Sequence, residues 1–375
     1  MAIQLFTPHF EIDECLAEIR ECLEKGWTGL GFKTIEFEEK WKEYTGLPYA
    51  HFLSSATAGL HLAVKILKME NNWLNDDEII STPLTFVSTN HAILYENMKI
   101  VFADVDEYLC LNPKSIEERI TPKTKAVMYV GIGGNTGHYD EIVSICQKYN
   151  LKLILDAAHM SGTRLRGITP GMEADAVVYS FQAVKNLPTA DSGMICFNDG
   201  KYDEICRKLT WLGISKDTFA RTNSKGSYKW KYNVEYLGYK NHGNSIMAAI
   251  GLVQLRYLDR DNAYRRQLAA WYDANFAANK NVKPIPVAPK CESSRHLYVI
   301  QVEKRDDLLQ HLNDNNIYPG VHYRDNLEYG MYSYAKGTCP KTRHYSNTIM
   351  SLPMHMGLTK SNVDYICSIV NGFVK

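Results

Sequence analysis

One lysine, Lys185, stands in the stretch YSFQAVKNLPTADSGMI (179–195), between a serine on an apolar strand and a turn that carries glycine. Two other features have the chemistry to meet it. The apolar run LKLIL ends in Asp156, and in a parallel sheet the residues at the carboxyl ends of strands face the ligand crevice. SSATAG, Ser54 to Gly59, lies between a strand and the helical pattern LHLAVKIL. Free backbone N–H groups and the positive end of a helix would converge there, where a phosphate can sit; N-capping by Ser or Thr accounts for such a turn equally well. An amine that can bind an aldehyde, a carboxylate that can keep a ring nitrogen protonated and a phosphate cradle are the parts needed to hold pyridoxal phosphate. Lys185 would be the Schiff-base lysine.

These residues need a scaffold, and the chain supplies an alternating one. FEEKWKEYTG reads as an amphipathic helix closed by glycine, YAHFLSS as a strand and AGLHLAVKILKM as a second helix. DEIISTPL, MKIVFADV, KAVMYVG and LKLILDA follow as short apolar strands, with VSTNHAILYEN and DEIVSICQKYN between them at helical period. Such alternation predicts a mostly parallel sheet covered by helices. AVVYSF and GMICFN add two strands joined by the lysine-bearing turn. Beyond residue 200 the pattern changes to a polar, aromatic stretch (215–243), a long helical pattern from SIMAAIGLVQL, the strand RHLYVIQV and the helix RDDLLQHLNDNNI. The reading is a large domain over 1–245 and a smaller α+β domain over 246–375.

Composition narrows the function classes. With 42 basic and 42 acidic side chains, the charge balance favours neither nucleic acid nor an anionic membrane surface. Nine cysteines are scattered without CxxC pairs or histidine spacing, which argues against zinc and a disulfide framework and fits reduced thiols in the cytoplasm. The N-terminus MAIQLFTPHFEIDECL has no basic region followed by an apolar core, and no run reaches the roughly 18 apolar residues of a membrane span. No strand is followed by GxGxxG, which argues against a nicotinamide-dependent reductase; the glycine cluster GIGGNTG (131–137) comes too late in the chain for that role.

The segments FEEKWKEYTGLPYAHFLSSATAGLHLAV, TPLTFVSTNHAILY, ITPKTKAVMYV, LILDAAHMSGT, YSFQAVKNLPTADSGMI, GYKNHGNSIMAAIGLVQL and SLPMHMGLT, in this order and over nearly the whole chain, resemble the DegT/DnrJ/EryC1/StrS sugar aminotransferases. The resemblance implies a three-layer α/β fold of the aspartate aminotransferase type (fold type I). It implies that Lys185 holds the cofactor, that Asp156 pairs with its ring nitrogen and that His159 lies against the ring. Ser180 with the backbone of Ala56 and Thr57 would grip the phosphate, and Phe86 would cover the other ring face, a core aromatic being its alternative. Gln182 stands in this cofactor-binding set where the family commonly has histidine, and Asp191–Ser192 where it has an acidic residue followed by glycine. GYKNHGN (238–244) departs from the family's GYNYRM or GYKYN, so Lys240, with Asn241 and His242 as competitors, is the residue to reach a neighbouring subunit's phosphate. VHYRDNLEY, from Val321, departs from VHYxPxH on the substrate side.

The implied activity moves an amino group from an amino acid, most often glutamate, through pyridoxamine phosphate to a nucleotide-linked keto-deoxysugar, in a homodimer with shared active sites. Arg221, Tyr228, Lys229 and Trp230 suit either a nucleotide or a dimer interface. The family's pyridoxamine-dependent dehydratases replace the lysine, so Lys185 argues against that branch. A silent cofactor-binding sensor, suggested by Gln182 and VHYRDNLEY, conflicts with retention of Asp156, His159 and Lys185.

Overall fold

The computed structural model describes residues 2–215 and 232–374. At its centre lies a seven-stranded sheet of β1 (Tyr49–Leu53), β2 (Glu78–Ser81), β3 (Lys99–Phe102), β4 (Thr124–Val130), β5 (Lys152–Asp156), β7 (Ala176–Ser180) and β8 (Gly193–Phe197); β6 (Arg164–Leu165) is a short strand outside it. The order is β1-β8-β7-β5-β4-β2-β3. β8 runs antiparallel to its neighbours β1 and β7, and the other pairings are parallel. Parallel neighbours require crossovers, and the chain provides most of them as helices, the one from β5 to β7 running instead through turns and β6. α1 (Ile12–Glu24) and α2 (Phe32–Thr45) precede the sheet, and α3 (Ala56–Glu70), α4 (Val87–Leu94), α5 (Pro113–Glu117), α6 (Tyr139–Lys148) and α7 (Gly200–Thr210) follow strands. The mostly parallel α/β sheet expected from the alternation is therefore what forms.

The apolar strands are continuous because both faces are covered. Val127, Tyr129, Leu153, Leu155, Val177 and Tyr179 pack with Phe37 and Trp41 of α2 on one face. Their period-two partners Ala126, Met128, Ile154, Ala176 and Val178 pack with Leu60, Leu62, Ala63 and Leu67 of α3 on the other. The long helix α8 (Ser245–Phe276) starts in the first of these cores with Ala248 and Leu252 and ends in a third with Leu268, Tyr272 and Phe276. That third core also holds Tyr298, Ile300 and Leu352 of a small antiparallel sheet. Among the described residues no helix is long and apolar enough to cross a membrane.

The register aligns strand ends. Val130 of β4 pairs with Asp156 of β5, Asp156 with Val178 of β7, and Ser180 of β7 with Gly193 of β8, which also pairs with Leu53 of β1. One edge of the sheet thus presents Asp156, Ser180 and the start of α3 together.

One core feature makes the fold pH-sensitive. Asp106 is fully buried, and Oδ1 accepts the backbone N–H groups of Tyr108 and Cys110 while Oδ2 has no hydrogen-bond partner among the described residues. Burial pushes its pKa up to about 7, against the pull of those two amides. The folded state therefore retains a proton that the unfolded chain releases, and ionising Asp106 costs stability as pH rises between about 4 and 7. Asp106→Asn is expected to stabilise the protein at pH 8 by at most about 4 kcal/mol, the gain fading toward pH 4. Thermal unfolding of both proteins at the two pH values checks this; a gain equal at both would refute it.

Candidate active site

α3 begins at Ala56, two residues earlier than the helical pattern alone suggests, with Ser55 as its N-cap. The Ser55 hydroxyl accepts the Ala58 amide at 3.1 Å, and Gly59 N–H reaches Ser55 O at 3.2 Å. Ala56 and Thr57 keep their N–H groups unpartnered among the described residues, so the serine caps as one reading expects, and two donors remain that an anion could use. This helix start lies directly on β8. A side-chain carbon at Gly193 would fall 2.6 Å from the Ala56 nitrogen and 2.7 Å from the Ser55 carbonyl carbon, so only glycine admits the cradle here. Ser180, at the end of β7, is buried beside it.

These groups open into a cavity of about 550 Å³ lined by Ala56, Thr57, Phe86, Asp156, His159, Ser180, Gln182 and Lys185. Eight of the nine residues singled out in the sequence thus meet in one place. Lys185 sits in the connection between β7 and β8, which is closed by Phe181 N–H to Ser192 O and Ala183 N–H to Ala190 O. Burial lowers its pKa to about 8, with Asp156 opposing. Asp156 is buried at the end of β5; Oδ2 accepts the Thr89 hydroxyl at 2.8 Å and Oδ1 the Ala158 amide at 3.1 Å. Burial raises its pKa, and Thr89, Ala158 and Lys185 each work against the rise.

His159 is held in one tautomer. Its Nδ1 accepts the N–H of Gly133 at 3.1 Å, so the neutral ring carries its proton on Nε2, which faces Tyr323 Oη at 3.2 Å. Gly133 can present that amide because φ is +63°, a conformation glycine adopts without strain; GIGGNTG serves the site through a histidine. The His296 ring lies beside His159, centroids 4.3 Å apart and tilted by 36°. Asn186 donates its amide to Asn262 and to Ser294 O, leaving Oδ1 to accept from His296 Nδ1 at 2.9 Å. Burial pushes His159 and His296 well below the usual histidine range and His322 down to about 4. Three cavity histidines are therefore neutral near pH 7, and Lys185 supplies the cation among the described lining residues.

Phe86 is 58% exposed and lies on the cavity wall, which excludes the core-aromatic alternative. Gln182 Oε1 accepts the Val184 amide at 3.0 Å and shapes the lysine turn. Lys240 lies outside the cavity lining; it is exposed, with its ammonium 3.2 Å over the Trp211 ring. The segment after it runs along the end of β1, where Asn241 O accepts from Ser54 N–H and Gly243 N–H donates to Phe52 O, both at 2.8 Å. Arg221, Tyr228, Lys229 and Trp230 lie outside the described residues.

Sequence reasoning did not single out Phe6, Thr85, Thr89, His296, His322 and Tyr323 as site residues, all of which line the cavity. They come from distant parts of the chain, and no spacing ties them to Lys185. The departure at VHYRDNLEY divides in two. His322 and Tyr323 face the cavity, whereas Asn326 is tied to the loop beside it: its N–H donates to Pro83 O at 2.9 Å, its Nδ2 to Thr85 O at 2.8 Å, and its Oδ1 accepts from Asn90 Nδ2 at 3.0 Å. Leu327 is core.

The arrangement fits pyridoxal phosphate: two free amides at a helix N-terminus for the phosphate, a buried carboxylate, an amine of lowered pKa, and neutral rings. Among the described residues no cluster of three or more His, Cys, Asp or Glu could hold a metal ion. Residues 10–371 match the model of the DegT/DnrJ/EryC1/StrS aminotransferase family. The chain is 33% identical to the spore coat polysaccharide biosynthesis protein SpsC of Bacillus subtilis, over 96% of this chain and 95% of that protein. Among solved structures, Helicobacter pylori PseC, an aminotransferase involved in the biosynthesis of pseudoaminic acid, superposes with a TM-score of 0.91 at 25% identity, covering 100% of this chain and 99% of that one. The PLP form of Spr1654 from Streptococcus pneumoniae does so with 0.91 at 26% identity over 100% of both chains.

Proposed function

The chain belongs to the DegT/DnrJ/EryC1/StrS aminotransferase family, and from that membership we propose that it is a pyridoxal-phosphate-dependent enzyme transferring the amino group of glutamate to a nucleotide-linked keto-deoxysugar. The observation that carries this reading is the single cavity that collects Lys185, Asp156 and the free amides of Ala56 and Thr57. The cofactor, when bound, supplies an electron sink for negative charge developing at the donor's Cα. Everything else falls to the chain.

Ala56, Thr57 and Ser180 would hold the phosphate, and Asp156 would keep a proton on the ring nitrogen. His159 and Phe86, both on the cavity wall, would flank the ring. Lys185 Nζ would hold the cofactor's aldehyde and, as a free amine, would take the proton from the donor's Cα and carry it. With a pKa of about 8, it has a usable neutral fraction near pH 7, and the same amine, then protonated, serves the reverse steps on the sugar ketone. Walls of neutral histidine and tyrosine around it suit a polyhydroxylated acceptor that brings its own phosphates. SpsC in polysaccharide biosynthesis and PseC in pseudoaminic acid biosynthesis support a sugar acceptor. The working unit is a homodimer in which Lys240, or Asn241 or His242, reaches the neighbouring subunit's phosphate site. A cytoplasmic setting agrees with nine free cysteines.

The test is the absorbance spectrum of the protein loaded with pyridoxal phosphate. Glutamate is expected to convert the visible band of the lysine-bound cofactor to the near-ultraviolet band of pyridoxamine phosphate, and a nucleotide-linked 3-keto- or 4-keto-deoxysugar to restore it. A visible band that no amino donor changes would overturn the reading in favour of a silent cofactor-binding protein.

A further inference from the structure

We propose that Thr89 is a positioning residue for Asp156: its hydroxyl, oriented in turn by Thr85, holds the carboxylate ionised and turned for the ring nitrogen. The inference rests on the reading of the site given above and goes one layer behind it. Thr89 lies in the first turn of α4, is 1% exposed, and places Oγ1 2.8 Å from Asp156 Oδ2. On its other side Oγ1 is 2.9 Å from Thr85 Oγ1.

The direction of these bonds follows from proton counting. An ionised carboxylate only accepts, so Thr89 donates to Oδ2. A hydroxyl has one proton, so toward Thr85 the same oxygen accepts, and Thr85 donates. The result is a directed chain from Thr85 through Thr89 to the carboxylate, in which each bond polarises the next. No other described group donates to Oδ2; the Ala158 amide serves Oδ1. Asp156 is 3% exposed, so a donor lost here is not replaced by bulk water. The chain is pinned from behind, because Thr85 O accepts Asn326 Nδ2 at 2.8 Å. That contact couples the departing segment VHYRDNLEY to the orientation of Asp156. A carboxylate that drifted toward its neutral form could no longer hold a proton on the ring nitrogen, and the electron sink would weaken.

Thr89→Val keeps the branched shape and removes the hydroxyl; Thr89→Ser keeps the hydroxyl. In protein loaded with pyridoxal phosphate carrying an isotope-labelled ring nitrogen, the nitrogen's NMR shift is followed against pH, together with cofactor affinity and the glutamate half-reaction. Thr89→Val is expected to lower the deprotonation midpoint of the ring nitrogen by about one pH unit or more and to slow the half-reaction by about ten- to a hundredfold, the range of a hydrogen bond to a charged group. Thr89→Ser should stay within about threefold of wild type, and Thr85→Val should shift the midpoint in the same direction by less. A Thr89→Val protein with a wild-type midpoint, whatever its melting temperature, overturns the proposal, as does a midpoint shift that serine does not rescue. If Thr89→Val does not fold, a Thr85→Val protein with an unmoved midpoint overturns it instead. Wild-type protein that captures no cofactor overturns the underlying reading, a different result from capture with an unmoved midpoint.

Discussion

Alanine at position 185 is expected to leave a folded protein that binds pyridoxal phosphate without a visible lysine-bound band and transfers amino groups at least about a thousandfold more slowly. The fold should survive because, among the described residues, the Lys185 side chain makes no hydrogen bond or ion pair, and only the charge of Asp156 acts on it. The local turn is held by backbone bonds, including Lys185 N–H to Gln182 O at 2.8 Å, which alanine retains. Borohydride reduction should fix the cofactor to wild-type protein and not to the variant. The same amine sets a pH dependence whose sign is fixed by its direction of shift. Burial lowers the lysine's pKa to about 8, below that pH the amine is protonated and not nucleophilic, and capture of the free aldehyde should slow about tenfold for each unit of acidification. Wild-type turnover by Lys185→Ala, or a cofactor still fixed by borohydride, would refute the assignment.

Asp156→Asn should separate function from stability in opposite directions. Burial raises the pKa of Asp156, so the charge is held at a cost that a neutral amide of the same shape does not carry. The cofactor-free variant is expected to melt at or above the wild-type temperature. Asparagine still accepts the Ala158 amide, and Thr89 reverses to accept from the new amide nitrogen, so the local bonds are kept. What disappears is the negative charge against the ring nitrogen. Breaking a buried charge pair costs roughly 3–5 kcal/mol, and the glutamate half-reaction is expected to slow by about a hundredfold or more. Rapid-mixing absorbance of a single turnover, beside a thermal melt of the cofactor-free protein, reads both effects. An unchanged half-reaction rate would remove Asp156 from its role.

Both residues were visible in the sequence through the strands beside them: Asp156 ends β5, and Lys185 stands in the connection that follows β7. Strands buried on both faces read as continuous apolar runs that stop where the crevice begins. Asp156 closes LKLIL, Ser180 closes AVVYS, and SSATAG follows YAHFL. Gly193 was not legible in this way, since its need follows from β8 lying against the start of α3, which only the tertiary structure shows. The N-cap at Ser55 was ambiguous in sequence, because a serine before a helix caps whether or not the remaining amides are used.

The alternation of strands and helices, and the places of the lysine, the carboxylate and the helix start at SSATAG, were thus determined by local pattern, where an element depends on neighbours a few residues away. Tertiary structure alone decided the rest. Tyr323 reaches His159 across 164 residues of chain, and Asn186 and His296 meet across 110. Thr89 reaches Asp156 across 67. Hydrogen bonds of this kind leave no periodicity, because they depend on how α4, the Gly133 turn and the C-terminal segment dock on the sheet edge. The same docking draws Lys185, Asp156 and the three histidines largely out of bulk water, and it is this desolvation, invisible in any one segment, that sets which of them carries a charge.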